Sequence, residues 1–206
     1  MRTEPLQNRV TPEGRIIAVA ARGGLMGNRG ILHDAAQRLG TARWRHRNWI
    51  ACRLEFRGRH RAVMQPGRYT ELFFLDEAVS LAAGHRPCAE CRRADYERFR
   101  DAWQEAFGTR PGATEIDGAL HIARVRRNRA QITHEADMGH LPEGTFIHWA
   151  GAPHLVLRDR LLPYAPEGYG APAPRPASGR VTVLTPRPCV AVLVAGYRPA
   201  LHSSAE

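Results

Sequence analysis

Cys88 and Cys91 stand in a C-x-x-C directly behind a helix stop, and no other stretch constrains this chain as much. Two thiolates at that spacing can both face one tetrahedral ion, at ~2.3 Å each. Upstream, residues 69–75 read as a short strand. Asp76 is suited to cap a helix over 77–83, because its carboxylate accepts from the first free amides, and Gly84 is suited to end it. Downstream, Tyr96, Phe99, Trp103 and Phe107 recur at helical spacing, which predicts a helix over 93–107 with one buried stripe. Pro87 stiffens the approach to the cysteines, and Arg86, Arg92 and Arg93 favour their thiolate form. The same spacing also serves redox pairs. The Arg-Pro-Cys setting is what makes metal the expectation here.

The stretch from Phe73 to Arg93 resembles the second half of the zinc-binding domain of the Ada DNA-repair family. The matching features are the aromatic pair Phe73 and Phe74, an alanine-rich helix ending in Ala83-Gly84-His85, and Arg86-Pro87-Cys88 followed by Cys91-Arg92. The similarity covers residues 69–93 and implies a zinc ion, the local fold of a zinc knuckle and affinity for DNA. That family takes its first two ligands from an upstream Cys-x-x-x-Cys, which this chain lacks. It offers Cys52 instead, with His60 further on. The expected ligand set is therefore Cys52, His60, Cys88 and Cys91, with His46 and His85 next in line for the fourth position. In the family an upstream cysteine also accepts the methyl group, so the altered pair implies metal and DNA affinity rather than suicide methyl transfer. Cys189 lies in an apolar run and is expected in the core.

Charge supports a polyanionic partner. All thirty basic residues are arginine, against twenty acidic ones, for a formal charge of +10. Genome bias accounts for arginine in place of lysine but not for the excess of base over acid. A large positive field attracts nucleic acid, with DNA the expected partner and RNA the alternative. The missing lysine excludes a Walker A site and any side-chain Schiff base. Between residues 43 and 61, Arg43, Arg45, Arg47, Arg53, Arg57, Arg59 and Arg61 alternate with Trp44, Trp49 and Phe56, and only Glu55 opposes them. Such a stretch suits a face that tracks phosphates, with Arg92 and Arg93 beside it at the knuckle.

The rest of the chain reads as α+β. A first strand is expected over 15–21, a glycine-rich loop over 22–30, β structure over 42–63 and a second helix over 116–133. Short strands over 142–149, 154–157, 181–184 and 190–194 predict a small antiparallel β unit. The expected organisation is an N-terminal region with the Ada-like zinc unit (1–110), a helical connector (111–140) and a C-terminal β domain (141–206). A rival to plain DNA binding is a nuclease or DNA glycosylase, with Glu71, Asp117 and His121 as its acid/base residues. The first fourteen residues have no apolar run of the signal-peptide kind, and no stretch reaches the ~18 apolar residues of a membrane span. A cytoplasmic chain with no membrane contact is the expectation.

Overall fold

The computed structural model describes residues 4–58 and 62–206, and the fold is α+β with two sheets and four helices. The first sheet contains β1 (Gln7–Val10), β2 (Ile16–Ala18), β3 (Leu25–Asn28), β4 (Ile50–Cys52), β5 (Leu72–Phe74) and β6 (Arg86–Pro87), in the order β2-β1-β5-β3-β4-β6. The glycine-rich stretch expected as a loop over 22–30 is thus not loop throughout. Its middle is β3, and Gly27 there faces Phe74 and the Ile50 carbonyl so closely that an added Cβ would meet them at 2.8 and 2.3 Å. Among the described residues of the β structure expected over 42–63, only Ile50–Cys52 is strand. The preceding residues bend back on themselves, with the Trp49 indole N–H donating to the His46 carbonyl and the Arg45 amide to the Arg29 carbonyl.

Between the sheets lie α1 (Glu77–Ala82), α2 (Arg93–Phe107) and α3 (Ala113–Arg124). Asp76 caps α1 as expected, accepting from the Val79 amide at 2.9 Å. Tyr96, Phe99 and Trp103 of α2 are buried, while Phe107 is half exposed at the helix end. The helix expected over 116–133 stops at Arg124. Val125 turns extended and bridges Gln131, and the Asn128 side chain accepts from the Ala130 amide, a local bond that competes with helix.

The second sheet is antiparallel throughout: β7 (His134–Asp137), β8 (Phe146–Trp149), β9 (Ala152–Val156), β10 (Arg160–Ala165), β11 (Gly168–Tyr169), β12 (Ala173–Pro174) and β13 (Arg180–Val183). The last strand expected, over 190–194, is instead part of α4 (Arg187–Val194). Pro186 and Pro188 sit at its start, where no intrahelical amide is needed. Cys189, Val192 and Leu193 then fall at helical spacing and bury against α2 and α3.

One apolar core joins the first sheet, α1 and the second sheet through Val10, Leu72, Phe74, Val79, Phe146, Leu155 and Tyr169. Every residue of α1 is buried, including Glu77. A buried carboxylate must be paired. Glu77 meets the guanidinium of Arg92 at 2.7 Å, the Tyr197 hydroxyl at 2.6 Å and the Ala200 amide at 2.9 Å. Breaking a buried pair leaves a charge uncompensated and costs ~3–5 kcal/mol. Glu77→Ala should therefore lower the free energy of unfolding in urea by about that amount. Arg38→Ala, which removes the exposed pair with Asp34, should cost under ~1 kcal/mol.

Candidate metal centre and basic cleft

The three clustered cysteines are brought together by a short parallel pairing. Ile50 of β4 stands opposite Arg86 of β6, and Ala51 opposite Pro87, so the next position along sets Cys52 level with Cys88. The Cys88 amide closes on the Ala51 carbonyl at 3.0 Å. Cys91 follows in the turn into α2, where the Arg92 amide donates to the Cys88 carbonyl at 3.1 Å. The Arg53 amide donates to Cys91 Sγ at 3.4 Å. As a result the sulfurs of Cys52, Cys88 and Cys91 all lie within 4.8 Å of one another. A tetrahedral ion with ~2.3 Å bonds to sulfur has edges of ~3.8 Å, so the trio is close enough to hold one metal ion.

The electrostatics of the trio fit a cation. Hydrogen bonds from the Cys52 and Cys91 thiols, and from the Cys91 and Glu90 amides, pull the Cys88 thiol far down against its burial. Cys52 is pushed up, because it donates to Cys88 and Cys91 and is partly buried. For Cys91 the bond with Cys52 lowers, but Cys88 and burial outweigh it, and the net direction is up. A divalent ion lets all three ionise. Donor type and spacing both fit a metal that prefers thiolate.

Among the described residues no fourth ligand joins this group. His60, first in line for that position, lies outside the described residues, as do Arg59 and Arg61. The next two candidates turn elsewhere. His46 Nε2 pairs with Asn28 Oδ1 at 3.0 Å. His85 is fully buried between Phe74 and Trp49, and its Nε2 accepts from Arg29 at 3.3 Å. Cys189 is in the core with α2 and α4, away from the trio, as expected.

The arginines fall into distinct environments. Arg45, Arg47, Arg53 and Arg57 are exposed, and Arg93 is exposed but paired with Glu97 at 2.5 Å. Arg43 is half buried and donates to the Gly40 and Ala42 carbonyls. Arg92 corrects the expectation of a phosphate contact. It is buried, and its guanidinium is committed to Glu77 and Asp95 at 2.7 and 2.8 Å.

The acid/base residues are likewise occupied. Both oxygens of Asp117 are held by Arg86, at 2.9 and 2.7 Å. His121 lies edge-on to Trp44 with its Nδ1 3.3 Å from the Arg124 guanidinium, and burial lowers its pKa. Glu71, in the strand side of the knuckle, accepts from the Met64 amide at 2.7 Å. Asp117 thus serves to neutralise Arg86, and Glu71 faces a different part of the fold.

A basic cleft of about 270 Å³ was not anticipated. Arg29 and Arg124 both lie over the buried Trp49 indole, their guanidinium carbons 4.0 and 3.9 Å from its centroid. Gly84 makes room, since a Cβ there would come within 2.5 Å of the Arg124 side chain. One signal in the sequence pointed this way: Arg124 continues the i, i+4, i+8 line of Ile116 and Leu120 on the buried face of α3. Arg29 carried no comparable signal.

Compared with known proteins, the chain matches no protein-family profile, no curated protein and no solved structure.

Two outcomes follow from this geometry. Cys52→Ala and Cys88→Ala should each lose bound metal and lose stability, whereas Cys189→Ala should keep the metal. Elemental analysis of purified protein, before and after chelation, checks this. The second concerns acid. Burial, with the charges of Arg29 and Arg124, holds His85 neutral well below the usual histidine range. The unfolded chain takes up that proton near pH ~6.5 while the folded chain refuses it, so the associated stability is present above that pH and is lost as pH falls. His85→Phe should flatten the acid limb of stability by up to about 1.4 kcal/mol per pH unit below roughly pH 6, as read from denaturant unfolding at several pH values.

Proposed function

We propose that this protein is a zinc-containing nucleic-acid-binding protein, with DNA as its principal partner. The observation that carries the reading is the convergence of Cys52, Cys88 and Cys91 at a junction that also presents exposed arginines. The metal clamps β4 to the start of α2, and Arg53 adjoins the site directly through its amide bond to Cys91. Zinc is the metal that thiolate-rich tetrahedral sites favour, and in such sites binding energy is folding energy. Its role here is structural: it fixes the loop that carries Arg45, Arg47, Arg53 and Arg57 against the helix that carries Arg93. The resemblance of residues 69–93 to the Ada zinc-binding domain supports the same assignment, with DNA repair, modification or defence as the setting. No helix of the described residues is long and apolar enough to cross a membrane.

Binding through this face is electrostatic. Each phosphate neutralised releases condensed counterion, so the log–log salt slope should be about −0.9 per contact on duplex DNA. Changing Arg45, Arg47 and Arg53 together to glutamine should flatten that slope by up to ~3 units and weaken binding across all sequences, with metal content unchanged. The exposed residues Arg158, Arg180 and Arg187 provide the matched control. Salt titrations of the two triple variants on one labelled duplex decide the matter. Equal losses from both would assign the basicity to no particular face.

A further inference from the structure

The cleft at Trp49 holds charge that nothing in the described protein neutralises. Arg29 is 2% exposed and Arg124 1% exposed. Among the described residues neither has a carboxylate within ion-pair distance. Their hydrogen bonds go to neutral groups instead. Arg29 donates to the Gly14 carbonyl at 3.1 Å and to the neutral His85 ring at 3.3 Å. Arg124 donates to the Gly84 and Arg47 carbonyls at 2.7 and 2.6 Å. Asp117 acts on Arg124 only from a distance, because Arg86 takes both of its oxygens.

Two nitrogens remain over. Arg29 Nη2 and Arg124 Nε are buried and have no hydrogen-bond partner among the described residues. Buried charges are ordinarily paired, and most buried donors have an acceptor. Burial pushes both guanidinium groups down to about 9, with the charges of Arg124 and Arg43 adding to it at Arg29 and that of Arg86 at Arg124, where Asp117 opposes it. The mouth of the cleft adds more of the same sign. Arg15, Arg43 and Arg129 line it, and the one carboxylate present, Glu13, is already paired with Arg15 at 2.7 Å. Trp44 forms an apolar wall beside them.

We propose that this cleft is a phosphate-binding site, taking orthophosphate or the terminal phosphomonoester of a nucleotide or nucleic-acid strand. A phosphomonoester carries close to two charges and several acceptor oxygens, which matches converging guanidinium forks better than a carboxylate or a halide does. At about 270 Å³ the cleft is below the ~300–1,000 Å³ of pockets that swallow a drug-sized ligand. It therefore accepts the phosphate end and leaves the remainder of a larger ligand at Trp44 and the mouth. The site is separate from the exposed arginines near the cysteines and does not depend on the nucleic-acid reading.

The test uses the full chain with its metal. Orthophosphate is titrated at constant ionic strength, with sodium chloride and sodium acetate as comparison salts, while tryptophan fluorescence and thermal melting are followed. A saturable fluorescence change and a rise in melting temperature specific to phosphate are expected. A response no larger than that to chloride or acetate overturns the proposal. Arg29→Gln should weaken phosphate binding at least about tenfold. Should that variant fail to fold by circular dichroism, the double change Arg43→Gln with Arg129→Gln provides the same test at the mouth, where the two side chains bond only to nearby carbonyls. Unchanged affinity in the double variant also overturns it. A short oligonucleotide with and without a terminal phosphate distinguishes the sources. Preference for the phosphorylated strand, abolished by excess orthophosphate, assigns the site to strand ends. Binding of orthophosphate alone keeps the cleft and removes the nucleic-acid reading. Equal binding of both strands, insensitive to orthophosphate, keeps that reading and confines the cleft to free phosphate, which stands or falls on the orthophosphate titration.

Discussion

The carboxylates at the head of α1 hold this fold together. A six-residue helix is too short to be stable by itself, and α1 exists because it is buried on all sides. Burial forces its two acids to find partners, and the partners come from every quarter of the chain. Asp76 caps the helix and also takes the Tyr169 hydroxyl from the second sheet at 2.7 Å and the His202 amide at 3.0 Å. Glu77 takes Arg92 from the knuckle and Tyr197 and Ala200 from beyond α4. The cysteine trio is coupled to this hub by one peptide bond, since Arg92 follows Cys91 directly.

Arginine, the only basic side chain besides histidine, is used in three physical roles. In Arg86–Asp117 and Arg92–Glu77 it is an internal tie, with its fork matched to a carboxylate. In Arg45, Arg47, Arg53 and Arg57 it is solvated surface charge. In Arg29 and Arg124 it is stacked on an indole and left without a counter-charge. The weak hydration and planar shape of the guanidinium make the third role feasible, where an ammonium would be far costlier to bury.

How much of this was legible in the sequence depended on how local the determinants were. The cap at Asp76, the stop at Gly84, the whole of α2 and the grouping of Cys52 with Cys88 and Cys91 rest on nearby residue types or on a motif, and the structure bears them out. The errors came where distant packing decides. The run 190–194 alternates no differently from a buried strand, and only its fit against α2 and α3 makes it helical. The interleaved arginines and aromatics before Cys52 looked like strand, yet Trp49 is drawn inward by Arg29 and Arg124, from 20 residues before it and 75 after it in the chain. Of these two residues only Arg124 carried a local sign, the apolar line it continues on α3. The cleft they form is a product of tertiary contact.

The pairing of β4 with β6 spans only two residue pairs, yet it alone sets the distance between Cys52 and the C-x-x-C. Because side chains alternate across a strand, a slip of one residue would carry Cys52 to the opposite face of the sheet. This has a bearing on how such a chain tolerates changes of length. Residues outside these two strands can lengthen or shorten while the strand ends keep their register. One residue gained or lost within Ile50–Cys52, or between Arg86 and Cys88, would instead scatter the sulfurs. Tolerance of insertion and deletion around the three cysteines is thus written in the parity of two very short strands.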